Sequence, residues 1–417
     1  MLRKILVTVC ICVISATTFA QEGTTSPYSF YGIGSLKFKG TAENRMMGGL
    51  SVYSDSIHLN MQNPAGLARL QLTNFTIGAS HKYSSQKSDE GSTDAATTSL
   101  DYIAVGLPMG KFGASFGLIP YTSVGYKLIS DGDLFNTSYT GDGGLNRAFV
   151  ALAYSITPEF SAGVDVNYNF GEINNTALIT SANGEFQSAT RERNESDLSG
   201  INYTVGRAYQ KLLENNLQIM GSLTYTPETN LGSTNFREIS SVFVSPTTGA
   251  QGTVFSEEIV VGDTNFDFPS QFTVGGGIGA PKNWFVGLEY TNQKTSNFTN
   301  RTFEIDNVEF KDAAKYRLGG FYIPNYNGIG RYWQRVVYRG GMRYEGTGLV
   351  VNGEDINEFG ISFGVGLPSG KLFTNINLGV EFGSRGTTNS GLIKEDFFNT
   401  FLSLSLNDRW FEKRYYD

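Results

Sequence analysis

The chain has 417 residues, with 32 Lys and Arg against 39 Asp and Glu, a formal net charge of −7. That acidic balance argues against a nucleic-acid-binding surface, which needs clustered cations to meet phosphates. Fifty glycines beside 22 Tyr and 30 Phe fit extended strands with small inward and aromatic outward residues, not a helical or α/β enzyme.

Residues 1–20 read as an export signal. Arg3 and Lys4 form the positive start, Ile5 to Ser15 the apolar run, and Ala16-Thr-Thr-Phe-Ala20 the small-residue cleavage region. The apolar run is well short of the roughly 20 residues of a spanning helix. Cys10 and Cys12 would leave with it, so disulfides, thiol chemistry and Cys-ligated metals are not expected. Without Arg3 and Lys4 the balance is 30 basic to 39 acidic residues, net −9. No later stretch approaches a transmembrane helix, which leaves a secreted soluble β protein or a barrel.

Residues 21–70 show no sustained alternation, yet they carry Tyr28, Phe30, Tyr31, Ile33, Met46, Met47 and Leu50. Such a segment can pack, and the inside of a wide barrel is where it would go. A lumen plug is the expectation for residues 21–70, with a disordered tail as the alternative.

From about Leu72 the chain alternates with period two. Phe160, Ala162, Val164, Val166, Tyr168 and Phe170 face one way, and Ser161, Gly163, Asp165, Asn167 and Asn169 the other. Leu372–Gly383 and Ile361–Leu367 repeat the pattern. Strands of ten or more residues suit a tilted membrane strand. Tight turns at 107–111, 156–159, 280–283 and 367–371 alternate with long polar segments at 84–98, 127–145, 172–198, 229–267, 297–312 and 346–356, loops in this reading. Fourteen spans result: 72–83, 99–108, 112–126, 146–157, 160–171, 199–212, 216–228, 268–280, 284–296, 313–323, 333–345, 357–367, 371–383 and 397–406. The fold class is therefore all-β, a transmembrane antiparallel barrel of about 14 strands over residues 71–410, with a C-terminal tail at 411–417. Its location is the outer membrane of a Gram-negative bacterium. Residues 231–262 could rise above the membrane as a hairpin.

Chemistry-bearing residues are sparse. There are two histidines, His58 and His81, and no zinc spacing, so neither catalysis nor a cofactor nor a metal is expected. Asp131-Gly-Asp133 and Asp142 read as an ordinary loop. In the strand 333–345, Val336, Tyr338, Met342 and Tyr344 face lipid, which turns Arg335, Arg339 and Arg343 into the lumen, with Arg317 on the preceding strand. This row can hold a carboxylate or phosphate, or pair with Glu358, Glu289, Glu43 or Asp55; pairing is the preferred reading.

Three stretches give the chain a family likeness. They are Gly40–Val52 with Asn63-Pro-Ala-Gly-Leu-Ala-Arg-Leu70, Phe268–Gly279 continuing to Trp284–Tyr290, and Tyr316–Pro324 leading to Val336–Tyr344. In these the sequence resembles the outer-membrane long-chain fatty-acid and hydrophobic-compound transporter family, the FadL-like barrels. The resemblance implies a 14-stranded barrel, an N-terminal hatch, and uptake of hydrophobic molecules that leave sideways into the membrane. Gating would then involve Asn63, Pro64, Ala65, Gly48 and Gly49. A sideways exit needs a break in the wall, for which Pro120 in the third strand, eased by Gly113 and Gly117, is the candidate; the alternative places Pro120 above the membrane, where the barrel rim tolerates it. The end of the chain, Asn407–Asp417, resembles tails of Bacteroidetes outer-membrane proteins. There, barrels of this family also serve protein secretion and attachment, so an accessory subunit with a protein partner in a secretion complex is the main alternative. A general porin is the third. Expected partners are a hydrophobic small molecule and outer-membrane lipid, and no nucleic acid.

Overall fold

A computed structural model describes residues 23–182, 188–245, 251–298, 307–328, 330–369 and 374–410. The expected signal segment and the tail at 411–417 lie outside the described residues, as do residues 370 and 371 of the turn expected at 367–371.

The chain closes into one antiparallel cylinder of 14 spans. They are β1 Thr73–Ser88, β2 Gly91–Met109, β3 in two pieces Phe112–Pro120 and Thr122–Ser130, β4 Phe135–Ser155, β5 Phe160–Ser181 and β6 Ser188–Leu212. Next come β7 as Gln218–Thr226 and Thr229–Val244, and β8 as Gln251–Ile259, Thr264–Phe268 and Gln271–Ala280. The circuit continues with β9 Trp284–Gln293, β10 as Val308–Phe310 and Ala313–Tyr322, β11 Val337–Val351, β12 Glu354–Ser369, β13 Thr374–Arg385 and β14 Lys394–Asp408. Closure comes from β14 pairing back onto β1, from Thr73↔Asp408 to Lys87↔Lys394.

Why these residues make a wall is visible in their alternation. On β5, Val164, Val166, Tyr168 and Phe170 are exposed, while Ser161, Asp165, Asn167 and Asn169 are buried. The same inversion, apolar outside and polar inside, holds on β11 with Tyr338, Met342 and Tyr344 outward. On β13, Ile376, Leu378 and Phe382 face out, against buried Asn375, Asn377 and Glu381. A protein in water would lose stability by exposing that greasy belt, whereas hydrocarbon accepts it. The belt makes this a membrane-spanning barrel of the outer-membrane type.

Several expected loops are strands. β6 has 25 residues, roughly 80 Å at the usual rise, although a tilted crossing needs only about 9–11 residues. The surplus of β4 to β8 stands above the membrane as a continued sheet. It includes the hairpin expected near 231–262, where Arg237–Val244 pairs with Gln251–Ile259. Its residues are mostly polar, with Ser240 and Val242 buried and Ser241 between them exposed, so the apolar-outward alternation that marks a membrane strand is absent. The eleventh span also starts later than expected, at Val337. Arg335 is therefore an exposed rim residue outside the lumen row, its guanidinium over the Tyr332 ring. Val336, expected to face lipid, is fully buried.

Residues 23–72 lie inside the cylinder. Hydrogen bonds tie them to β5 at Asp165 and Ser161, to β9 at Glu289, to β12 at Ser362, and to β13 and β14 at Asn377, Glu381 and Ser405. Regular structure within the segment is short: a helical turn α1 at Ala42–Met46 and a 3-10 turn at Pro64–Arg69. Asn44 organises the first. Its Oδ1 accepts from the Thr41 backbone and hydroxyl at 3.4 and 2.8 Å, and its Nδ2 donates to the Leu50 carbonyl at 2.8 Å.

Candidate functional site

The inner segment reaches the wall where the wall has no side chains. A Cβ on Gly319 or Gly341 would strike the Met47–Gly48 backbone, one on Gly163 the Pro64–Ala65 peptide, and one on Gly113 the Leu67 carbonyl. Gly48 adds its own requirement, since its φ is +69° and a Cβ there would lie 2.7 Å from the Met342 carbonyl. Gly49, at φ +88°, sits against Phe38 and the Arg317 side chain.

The Asn-Pro-Ala turn docks by hydrogen bonds as well. Asn63 Oδ1 accepts from the Ala65 amide at 3.0 Å, capping the 3-10 turn, while its Nδ2 donates to the Arg207 carbonyl on β6 at 3.1 Å. Pro64 supplies the fixed φ that a first helical position favours. Ser161 Oγ donates to the Ala65 carbonyl at 2.9 Å. The three residues thus form a backbone-level attachment to β5 and β6.

Charges in the lumen are held by opposite charges or by side-chain amides. Arg317 meets Glu289 at 2.6 Å, and the other Glu289 oxygen accepts the Ser51 amide and hydroxyl at 2.8 and 2.5 Å. Arg343 bridges Glu381 at 2.7 Å and Glu358 at 2.5 Å. Glu381 also takes Arg45 of α1 at 3.3 Å and the Asn399 amide at 2.9 Å. Arg339 donates to Asn377 at 3.1 Å, and Asn377 in turn donates to Glu43 at 2.8 Å. Buried ions are tolerated only with such partners. The row therefore binds the inner segment to β9–β14. Glu381 was readable in advance, as an acid between outward-facing Val380 and Phe382, but its partner Arg45 was not.

Two further cations escaped the sequence reading. Lys39 pairs with Asp165 at 2.6 Å. Arg147 donates to Asn169 at 2.8 Å and stacks 4.1 Å from the centre of the Tyr121 ring. Arg147 directly precedes an apolar stretch, Ala148–Leu152, in which both faces are apolar, so no polar alternation announces it. At the opposite end of the segment, His58 Nδ1 lies 2.6 Å from Asp55. Burial pushes the imidazole pKa down, but the Asp55 carboxylate, with Glu43, outweighs it and holds His58 above its ordinary value. For Asp55, burial pushes up, but the His58 imidazole and the Ile57 and His58 amides together outweigh it, leaving its pKa below the usual range. Burial likewise depresses Lys37, to about 8.

Among the described residues, two cavities adjoin the inner segment. The upper, about 320 Å³, is bounded by Tyr31, Phe38, Lys39, Tyr121, Arg147 and Phe268 among others, and Pro120 forms part of its wall. The lower, about 340 Å³, faces the short-turn end between Tyr53, His58, Phe321, Tyr326 and Arg339. Thr41 touches both.

Beside the upper cavity the wall is broken. β2 and β3 pair only from Met109↔Phe112 to Ile103↔Leu118. Pro120, lacking an N–H, ends the lower piece of β3, and Tyr121 then donates to the Leu145 carbonyl at 2.7 Å. Beyond it Thr122 to Tyr126 are buried on both faces, which a strand with a lipid-facing side cannot be. The upper piece has turned inward. Among the described residues no ladder joins it to Gly91–Tyr102 of β2. Gly113 and Gly117 lie in the lower piece, Gly113 under Leu67 and Gly117 against the Ile103–Ala104 backbone. Their lack of side chains serves close packing, and the turn itself falls at Pro120–Tyr121. His81, bonded to Thr98 at 2.9 Å, is remote from His58.

A family model described as BamG matches residues 1–417. Search of the curated proteins gave no match. Among solved structures the chain is similar to the CymD monoaromatic hydrocarbon channel, at 14% identity and TM-score 0.59, over 91% of this chain and 99% of that one. The Pseudomonas putida toluene transporter TodX aligns at 16% identity and TM-score 0.59, covering 90% and 99%. A Pseudomonas aeruginosa FadL homologue aligns at 11% identity and TM-score 0.59, covering 90% and 98%. At these identities the likeness establishes a common fold, that of the FadL-type channels.

Proposed function

The chain belongs to the BamG family, and from that starting point we propose that it carries hydrophobic or amphipathic small molecules across the outer membrane. Ligand enters the upper cavity, residues 23–72 act as the plug, and exit is sideways at the interrupted β3. The observation that carries this reading is the coincidence of the 320 Å³ cavity with the wall break at Pro120–Tyr121. The named ligands of two fold relatives, monoaromatic hydrocarbons and toluene, support an apolar cargo. A seated inner segment hydrogen-bonded to β1, β2, β3, β5, β6, β9 and β12 to β14 speaks against an open general porin.

The test is uptake of a radiolabelled long-chain fatty acid and of toluene by cells with and without the protein. A Pro120→Val variant, which restores a ladder donor, accompanies the wild type. Uptake that depends on the protein and falls in the variant supports the reading. Loss of neither cargo on deletion, or porin-sized conductance in a planar bilayer, overturns it.

A further inference from the structure

The broken wall leaves the upper piece of β3 with one backbone edge facing the gap. An unpaired strand edge near hydrocarbon costs free energy for every amide and carbonyl left bare. That edge is taken by the start of the described chain. Ser35 pairs with Ser123 and Leu36 with Thr122, antiparallel, and the Lys37 amide donates to the Tyr121 carbonyl at 2.9 Å. Two residues further along, the Gly125 amide donates to Ser29 Oγ at 3.1 Å. The approach is tight: a Cβ on Gly34 would lie 2.6 Å from the Ser123 carbonyl oxygen, and Gly34 has φ +92°.

The same stretch is fastened to the opposite lip. Ser26 Oγ donates to Glu395 of β14 at 2.6 Å, and Gln86 of β1 donates to the Thr25 carbonyl at 2.5 Å. Tyr28 donates to the Ile393 carbonyl at 2.5 Å, just before β14. β1 carries β2, the other side of the gap, along the length of its ladder. Residues 25–37 therefore span the break from β3 to β1 and β14, and Tyr31, Ile33 and Leu36 line the upper cavity on the way.

From this we infer that residues 25–37 are a strap that closes the seam between β2 and β3 by strand addition, and that it must unzip from Tyr121–Gly125 for the seam to open. β-Augmentation suits this task, because backbone pairing satisfies the bare edge and can be undone without disturbing the main ladder. The strap is separate in its fastening from the Asn63 turn and the Met47–Gly48 contact, so it can move while the rest of the segment stays seated. Its role in passage rests on the transport reading above; its role as a seam closure does not.

Two variants separate these. In Leu36→Cys/Thr122→Cys, the residues are directly opposite, within the spacing a disulfide accepts, and no cysteine follows Cys12 in the sequence. The oxidised variant is expected to lose toluene or fatty-acid uptake at least about tenfold and to regain it on reduction. Gly34→Val should prise the strap off. Hydrogen exchange is then expected to rise at least about tenfold at both 29–37 and 121–125, while the amides of β5 keep their protection. A locked strap with undiminished uptake overturns the gating role. Exchange that rises at 29–37 alone shows that β3 does not need the strap, and overturns the closure itself. Coupled exchange in a protein that transports neither compound leaves the strap standing and removes the transport reading.

Discussion

Asn63 gives the sharpest test of how the inner segment is seated. The residue is 1% exposed, and its side chain makes two bonds in opposite senses, accepting from Ala65 and donating to Arg207 of β6. Asn63→Ala removes a cap worth about 1 kcal/mol and a bond to the wall worth a similar amount. The amide and carbonyl left behind are shielded from water, so the sum is about 2–3 kcal/mol. At 1.4 kcal/mol per factor of ten, that is roughly a 30- to 140-fold rise in local opening. Hydrogen exchange of the Ala65 and Gly66 amides, read in detergent or nanodiscs, measures it directly. The wall glycines Gly163 and Gly206 are untouched, so the β5–β6 ladder should keep its protection. Asn63→Asp retains the acceptor but turns an oxygen toward the Arg207 carbonyl, and should be at least as damaging. Exchange within about threefold of wild type in Asn63→Ala, or a silent Asn63→Asp, would refute the attachment argued here.

Three further outcomes are expected. Gly341→Val places a side chain where the Met47–Gly48 backbone lies, so protease should cut within residues 42–50 while the barrel keeps its heat-modifiable band on gels. Glu289→Gln removes the counter-charge of the half-buried Arg317 and should cost about 2–3 kcal/mol in thermal unfolding; the double change with Arg317→Met should recover more than half of that loss. The Asp55–His58 pair gives a pH signature. Because His58 is raised in the folded protein, its contribution is full below the unfolded value of about 6.5 and is lost as pH rises through the higher folded value. Protease release of residues 50–62 should therefore increase above neutral pH in wild type, and His58→Gln should flatten that rise.

Much of the wall was legible because membrane strands obey one short-range rule. An apolar residue every second position, over ten or more residues, is imposed by lipid on one side and a polar lumen on the other. This is why Val164–Phe170 and Ile376–Phe382 could be assigned to a face from the sequence, and why all fourteen crossings were countable. It also turned Arg317, Arg339 and Arg343 inward. Where the lipid ends the rule ends: the upper parts of β4 to β8 no longer need an apolar outer face, and their polar sequence reads as loop. Arg335 fails for the related reason that the alternation of β11 begins only at Val337, and nothing local marks that start.

What only the tertiary structure decided are contacts between residues far apart in the chain. Which acid each arginine takes, Glu381 rather than Glu43 for Arg343, depends on the shear of a closed cylinder and the path of the segment inside it. That Gly163, Gly319 and Gly341 are bare so that another backbone can touch them is invisible until that backbone is placed. Ser35–Leu36 as a strand of two residues carries no period at all; it becomes one because Pro120 turns β3 inward and leaves an edge that needs a partner. The sequence determined the cylinder and its faces and offered Pro120 as a candidate break, because each is written in neighbouring residues. How the break is covered was settled by packing, because hydrogen bonds left open by the wall must be met by whatever chain lies nearest in space.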